Sequence, residues 1–434
     1  MSRTITVKHL CRVEGHGGVT VELEGGAVKT VHMDIYEGMR FFESFLKRVP
    51  WADIPEVACR ICAICSGVHN VVASQAIEDA FGVRVTEQVG LLRRLFVHGG
   101  NIESHALHVF MLALPDLILP RYNSVIELAE DLPDEARIGL DIKKCGNEIQ
   151  DLIGGREIHP CNTKLGGFGR VPGKDVFRYL RDRLEAALEN ARALVPLIGG
   201  LELPDYLTAP GTVIGLKPSG DAYGYMGDHI AVSDGTLTDV HEYKSVTNEY
   251  VVPYSHAKFS AYEGKPFTVG ALARVNLFGD LLHGAAKTVA KRLGFVTPVH
   301  NVFHNTTAQF IELVDSIEDS ILTINAILAD YDAAEPTPEI KPRAGWGAAG
   351  IEAPRGTLYH AYAFDADGRC TDVDIITPTC QNLAAMERDI RAMVEANPDF
   401  SDEEIHFHSE IIVRAYDPCI SCSAHLLKVE FTRG

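Results

Sequence analysis

Cysteine is the residue type in this chain with the most specific spacing. Cys62-Ala63-Ile64-Cys65 stands near the start and Cys419-Ile420-Ser421-Cys422 near the end, each a C-x-x-C pair. Two sulfurs at that spacing reach one metal. Two pairs offer four thiolates, a soft donor set suited to zinc, to an iron–sulfur cluster or to nickel. A structural zinc site is the commonest use of such pairs. Zinc knuckles, however, take their pairs from short stretches, whereas these come from opposite ends of the chain and must be brought together by the whole fold. That favours a buried functional metal. A dithiol–disulfide couple would account for either pair alone but not for both. A helical pattern begins just after the first pair, where the helix dipole favours thiolate over thiol, and His69 lies about one helical turn beyond Cys65.

The residues around the pairs narrow the choice. Arg60-Ile61-Cys62-Ala63-Ile64-Cys65-Ser66-Gly67-Val68-His69 resembles the R-x-C-x-x-C-x-x-x-H signature of the large, catalytic subunit of nickel–iron hydrogenases. Asp417-Pro418-Cys419-Ile420-Ser421-Cys422-Ser423-Ala424-His425 resembles that family's D-P-C-x-x-C-x-x-H. Arg12-Val13-Glu14-Gly15-His16 matches its R-[IV]-E-G-H. Gly350-Ile351-Glu352-Ala353-Pro354-Arg355-Gly356 matches its G-x-x-E-A-P-R-G in all but the spacing of the first glycine. The four motifs stand in family order over almost the whole chain, and the D-P-C-x-S-C text resembles the cytoplasmic, cofactor-coupled branch most. Two other readings compete. One is a zinc-stabilised interaction protein; the other is the quinone-site subunit of respiratory complex I, which shares the fold but lacks the four cysteines.

The resemblance implies a nickel–iron centre that splits or forms H2. It implies that Cys62, Cys65, Cys419 and Cys422 bind nickel, that Cys65 and Cys422 also bridge to iron, and that the iron carries carbonyl and cyanide ligands. H2 is a weak acid and a poor ligand, so heterolytic cleavage needs an electron-rich metal and a nearby base for the proton. Carried over from the family, Arg355 overhangs the open metal position, where a guanidinium polarises or hydrogen-bonds without giving up its proton. Asp116 and Asp417 orient that arginine, Glu14 relays protons from a terminal cysteine, and His16 and His69 donate hydrogen bonds to the site. Each has a plainer use when taken singly: a surface ion pair for Arg355, a helix cap for Asp116, solvated surface for Glu14. Glu43 and His425 resemble residues about a second ion, Mg2+ or Fe2+, which a main-chain carbonyl near Cys380 would complete. Cys59 and Ala63 stand where the family more often has Pro and Gly; neither change removes a ligand, but an extra thiol then lies beside the site.

The remaining cysteines, Cys11, Cys59, Cys145, Cys161, Cys370 and Cys380, form no further C-x-x-C run able to hold an iron–sulfur cluster. The resemblance therefore implies a small subunit carrying iron–sulfur clusters, with flavin- or nicotinamide-linked subunits beyond it. A net charge of −19, from 59 acidic and 40 basic residues, opposes nucleic-acid and anionic-membrane binding, since both need a basic face. The opening MSRTITVKHL lacks the apolar core of a secretory signal. The richest apolar stretch, 107–119, is too short to span a membrane and contains Asp116. A cytoplasmic location is expected.

To bring the two pairs together the sequence predicts an α+β fold, with a large, mainly helical core and small sheets at both ends. Residues 1–85 hold a hairpin and the first pair, 86–335 the helical core, and 336–434 an α+β part with the second pair, all in one compact unit. Val19, Val21 and Leu23 alternate with polar residues, Gly25-Gly26 supplies a turn, and Val31, Met33 and Ile35 alternate on the return. Helical spacing runs over 68–80 with Gly82 as a stop, over 89–119 with breaks at Pro115 and Pro120, over 176–194, and over 306–331 behind Asn305 as a cap. The proline-rich 333–346 is a linker candidate. Beyond it, 357–364 and 371–376 flank Asp367-Gly368 as a second hairpin, and 411–416 is expected to be a strand leading into Asp417. In the last nine residues Leu427, Val429 and Phe431 alternate with polar neighbours, which predicts a retained strand, with a tail removed after His425 as the alternative.

Overall fold

The computed structural model describes residues 2–335 and 337–424. Three antiparallel strands open the chain, β1 (Ser2–Val7), β2 (Gly17–Glu24) and β3 (Ala27–Ile35), with β2 in the middle. The expected hairpin turns at Gly25 and Gly26, whose φ values of 62° and 90° a residue with a Cβ adopts only at a cost. Val19, Val21, Val31, Met33 and Ile35 are buried and pack in one core with a helix near the other end of the chain, 378–396. The first and last parts of the sequence thus share a core.

The middle is helical. Helix α1 (Ser66–Phe81) ends at Gly82, in the left-handed region at φ 68°, the stop that the sequence predicts. Helix α2 (Glu87–Ala106) starts at Thr86, whose hydroxyl accepts from the Val89 amide. It runs on through a wide π turn (Leu107–Ala113) into a short helix, Leu114–Leu117. Pro115 does not break the segment, because it falls in the first turn of that short helix, where a missing N–H is tolerated. Helices α3 (Pro133–Gly154), α4 (Lys174–Ala193) and α5 (Asn305–Ala329) complete the bundle. Where α2 crosses α3, a Cβ on Gly146 would stand 2.5 Å from the Glu103 amide and 2.6 Å from the Gly99 carbonyl, so only glycine permits this approach. Asn305 does not cap α5. It is the first helical residue, and its amide group bonds the Leu272 N–H and the Ala415 carbonyl.

A second antiparallel meander is formed by β4 (Gly345–Ala353), which begins within the linker candidate 333–346, β5 (Gly356–Phe364) and β6 (Cys370–Ile376). The β5–β6 hairpin was expected from the sequence; β4, which carries the start of the E-A-P-R-G motif, was not. Two helices close the described chain before the second cysteine pair, α6 (Pro378–Ala396) and α7 (Asp402–Ala415). The expected strand at 411–416 is a correction: these residues are the end of α7. Ser401 and Glu404 form a capping box that starts the helix ten residues earlier, and a helix with a satisfied N-terminus carries the β-branched run 411–413 along with it. The strand expected at the chain's end lies outside the described residues. The largest apolar core runs from Leu46 to Cys422 and includes all four paired cysteines.

Candidate metal centre

The first pair sits where a short 3-10 turn, Cys59–Ile61, meets α1. Cys62 is extended and Cys65 is the residue before the helix. The Cys65 N–H donates to Cys62 Sγ at 3.0 Å, which folds the C-x-x-C so that both sulfurs serve one point. The second pair follows Asp417, itself in the left-handed region at φ 51°, and frames one helical turn, Ile420–Ser423. This turn is anchored from elsewhere. The Cys419 N–H donates to Thr379 Oγ1 at 2.9 Å, and the Ile420 N–H donates to the Glu14 carbonyl at 3.0 Å.

The four sulfurs all lie within 4.8 Å of one another, and all four residues are buried. Cys62 Sγ is 3.3 Å from Cys419 Sγ, which is 2.7 Å from Cys422 Sγ. Hydrogen bonds from Cys419, Cys422 and Cys62 hold the Cys65 thiol well below its usual range, and the Arg355 guanidinium adds to that. Burial pushes Cys419 and Cys422 the other way. A buried cluster of this kind favours a thiolate at Cys65 and keeps protons on Cys419 and Cys422, protons that a divalent metal would displace on binding.

Arg355 sits at the tip of the β4–β5 hairpin, where Ala353 pairs with Gly356, and is 3% exposed. Its Nη1 lies 3.5 Å from Cys65 Sγ and 3.3 Å from Ser104 Oγ. Its Nε and Nη2 donate to Asp417 Oδ1 at 3.1 and 3.0 Å. Gln309 Nε2 donates to the other oxygen of Asp417 at 2.9 Å. At the second pair Cys419 Sγ donates to Glu14 Oε2 at 3.2 Å. The same carboxylate accepts the Ser421 N–H at 3.0 Å and the Ser421 hydroxyl. Four soft donors, a fixed cation and a carboxylate therefore surround one buried point.

A family model described as nickel-dependent hydrogenase matches residues 40–121 and 232–425. The chain belongs to the nickel-dependent hydrogenases. It is 39% identical over 425 residues to sulfhydrogenase 1 subunit alpha of Pyrococcus furiosus and 36% identical over 428 residues to sulfhydrogenase 2 subunit alpha of the same organism. The alignments cover 98% of this chain in each case, and 98% and 100% of those proteins. Among solved structures it is similar to an NAD+-reducing [NiFe]-hydrogenase in the H2-reduced state, at 27% identity and TM-score 0.86, covering 98% of this chain and 99% of that one. The protein is a nickel–iron hydrogenase large subunit of mixed α and β structure, with the four-cysteine motif of the Ni–Fe site, and its reaction is the oxidation or formation of H2. The donor set fits that centre, since four buried sulfurs lie within 4.8 Å of one another. The zinc and quinone-site readings fall with the family match.

The hydrogenase arranges several predicted residues otherwise than expected. Asp116 does not orient Arg355. It accepts from Arg12 Nη2 at 2.5 Å and from Arg414 Nε at 2.6 Å, because the short helix Leu114–Leu117 directs it towards the N-terminal loop and the end of α7. Arg414 also holds the Cys11 carbonyl, so Asp116 ties together the segments that deliver Glu14 and the second pair. His16 faces solvent and pairs with Glu37 at 2.7 Å, which leaves it no part in the site. His69 is buried, and burial pulls its ring down to about 4, so it is neutral; its Nδ1 lies 3.0 Å from His360 Nε2. Cys59 is buried, and burial pushes its thiol up to about 12 while Sγ donates to the Glu56 carbonyl at 3.0 Å.

At the expected second site, Glu43 Oε1 accepts the Ile375 N–H at 3.1 Å and lies 3.8 Å from Lys258 Nζ, and burial raises its carboxyl to about 7. Cys380 Sγ lies 3.6 Å from the Ser423 carbonyl. His425 lies outside the described residues. Among the described residues, only the four cysteines form a group of metal-ligand type. Sequence reasoning missed Ser104, Gln309, Thr379 and Arg274. None stands in a spaced pattern, and only the family signal in E-A-P-R-G marks the turn that Arg274 holds.

Proposed function

We propose that Cys62, Cys65, Cys419 and Cys422 would hold a nickel–iron centre, Cys62 and Cys419 as terminal ligands and Cys65 and Cys422 as the shared ones, and that Arg355, Asp417 and Glu14 carry the remaining chemistry. The observation that supports this reading is a cluster of four buried sulfurs in contact with the Arg355 guanidinium at Cys65 and with the Glu14 carboxylate at Cys419. When bound, a nickel–iron centre with carbonyl and cyanide on iron supplies the electron-rich metals that take up or return the two electrons of H2. Cys419 Sγ serves as the base for the released proton, and Glu14 Oε2, already hydrogen-bonded to it, receives that proton next. Ser421 holds the carboxylate in place through its N–H and hydroxyl. Arg355 keeps a fixed positive charge over the cluster, and Asp417 sets its plane through paired contacts to Nε and Nη2.

Electrons leave through a partner. We assign to it an iron–sulfur small subunit, with flavin- or nicotinamide-linked subunits beyond. The names of the relatives, alpha subunits of sulfhydrogenases and an NAD+-reducing enzyme, support this. No described helix is long and apolar enough to cross a membrane, which accords with a cytoplasmic complex. A second ion, Mg2+ or Fe2+, belongs to the same reading, at Glu43 with His425 and a carbonyl near Cys380; the burial of the Glu43 carboxyl is its support, and Lys258, 3.8 Å away, is its competitor for that carboxylate.

Metal analysis of the purified complex, together with infrared spectroscopy, tests the whole reading. One nickel with one iron in the large subunit, apart from any iron at the second site, and sharp carbonyl and cyanide bands are expected. Zinc alone, or nickel without such bands, overturns it. Magnesium or extra iron that disappears in Glu43→Gln checks the second site separately.

A further inference from the structure

Arg274, on the helix Ala271–Phe278, is the bulkiest of the fully buried side chains among the described residues, at 1% exposure. A guanidinium has five N–H donors, and each of these meets an acceptor. Nε and Nη2 donate to the two oxygens of Glu312 at 2.6 Å each. Nη1 donates to Glu352 Oε2 at 2.8 Å and to the Ala353 carbonyl at 3.0 Å, and Nη2 donates to the Pro354 carbonyl at 3.1 Å. Those two carbonyls are the last before Arg355. Gly270, just before the Ala271–Phe278 helix, also packs on the turn: a Cβ there would stand 3.1 Å from the Arg355 carbonyl.

The Arg355 side chain is tied to the same ion pair. Glu312 also accepts from His105 Nε2 at 2.8 Å, and His105 follows Ser104, whose hydroxyl lies against Arg355 Nη1. Arg274 holds Glu312 down to about 2 despite its burial, so the pair is charged. A buried ion pair is costly to desolvate, and well-packed apolar residues often stabilise a core as well or better. An apolar side chain, however, could not hold two carbonyls of a turn.

We propose that Arg274 is a positioning residue for the hydrogen reaction: held by Glu312 and Glu352, it donates to the Ala353 and Pro354 carbonyls and thereby places the Arg355 guanidinium over the cysteine cluster. This rests on the reading of Arg355 given above. Arg274 reaches none of the four sulfurs itself; its partners are carboxylates and carbonyls. Lysine, with three donors on a flexible stem, cannot reproduce the arrangement.

The test compares Arg274→Lys, Arg355→Lys and the double variant in the assembled complex, by nickel content, turnover and cyanide infrared bands. A displacement of about 1 Å costs on the order of 10²-fold in rate. Arg274→Lys should therefore keep nickel, lose turnover on that scale, and shift the cyanide bands in the same sense as Arg355→Lys. The double variant should be no slower than Arg355→Lys alone, since the two residues act through one group. If Arg355→Lys is impaired while Arg274→Lys keeps wild-type rate and bands, the inference falls and the role of Arg355 stands. If the losses multiply, Arg274 acts independently and the inference also falls. If Arg355→Lys has no effect, the underlying reading fails and takes the inference with it. Should Arg274→Lys not retain nickel, Glu352→Gln, which withdraws one of the five acceptors, decides the matter: slowed turnover with shifted bands supports the proposal, and unshifted bands in nickel-loaded protein overturn it.

Discussion

Glu14 and Cys419 are 405 positions apart, yet Cys419 Sγ donates to Glu14 Oε2 at 3.2 Å and the two backbones form a parallel bridge. The contact needs both ends of the chain. β2 and β3 pack with α6 in one core, and Arg12 and Arg414, from the loop before Glu14 and the helix before Cys419, share Asp116. The carboxylate is therefore set against the sulfur by two independent tethers, in a place where a proton can pass without either group moving far.

Glu14→Gln should retain nickel and carbonyl bands and slow the exchange of D2 with solvent protons by roughly 10²-fold or more, the scale of a lost general acid–base group. The amide keeps the shape of the side chain but cannot carry a proton. Exchange at the wild-type rate in nickel-loaded protein would remove Glu14 from the proton path.

Cys65→Ser and Cys422→Ser should each reduce H2 activity to background, because a hydroxyl is a hard, poor bridge between nickel and iron. Both cysteines are buried among the other sulfurs, so serine leaves the fold's packing almost unchanged. Near-normal turnover with bound nickel in either variant would show that the ligand assignment is wrong.

Arg355→Lys should bind metal normally and lose turnover by roughly 10²–10³-fold, the range seen when one preorganised charge or donor is removed from an active site. Lysine keeps the charge but not the planar fork that meets Asp417 through Nε and Nη2. Full metal content with an unchanged rate would return Arg355 to a purely structural role.

The residues that were legible in the sequence are those whose spacing is imposed locally. A C-x-x-C must fold its two sulfurs to one side, a Gly-Gly turn must follow an alternating strand, and Gly82 must stop a helix. The partners that complete the site escape such reading, because Thr379, Gln309, Ser104 and Arg274 meet the cluster or its supports across the fold and leave no periodic trace. The strand expected at 411–416 failed for a related reason. The β-branched run 411–413 favours a strand locally, whereas the capping box at Ser401 and Glu404 commits the segment to helix. Asp116 meets Arg12 and Arg414 in place of Arg355, because a motif identifies a carboxylate without saying which guanidinium the fold brings to it.

Glu387 offers a pH test of how the two ends of the chain are joined. It lies on α6, and its Oε1 accepts the Met33 N–H at 2.9 Å and the Tyr254 hydroxyl at 3.0 Å. Burial raises it from 4.5 to about 7; Asp34 adds to the rise, and Arg391 opposes it along with the two hydrogen bonds. A carboxyl whose pKa is higher in the folded than in the unfolded chain binds its proton more tightly when folded. Its contribution is complete below about 4.5 and is lost as pH rises through about 7. Burial moves Glu249 in the same direction, also to about 7. Thermal stability of the wild type should therefore decline across this window. Glu387→Gln imitates the protonated carboxyl, so its curve should match the wild type near the low end and lie above it beyond pH 7, by roughly 2 °C. Parallel curves for the two proteins would mean that Glu387 stays ionised in the folded state and that the join between β3 and α6 does not depend on its proton.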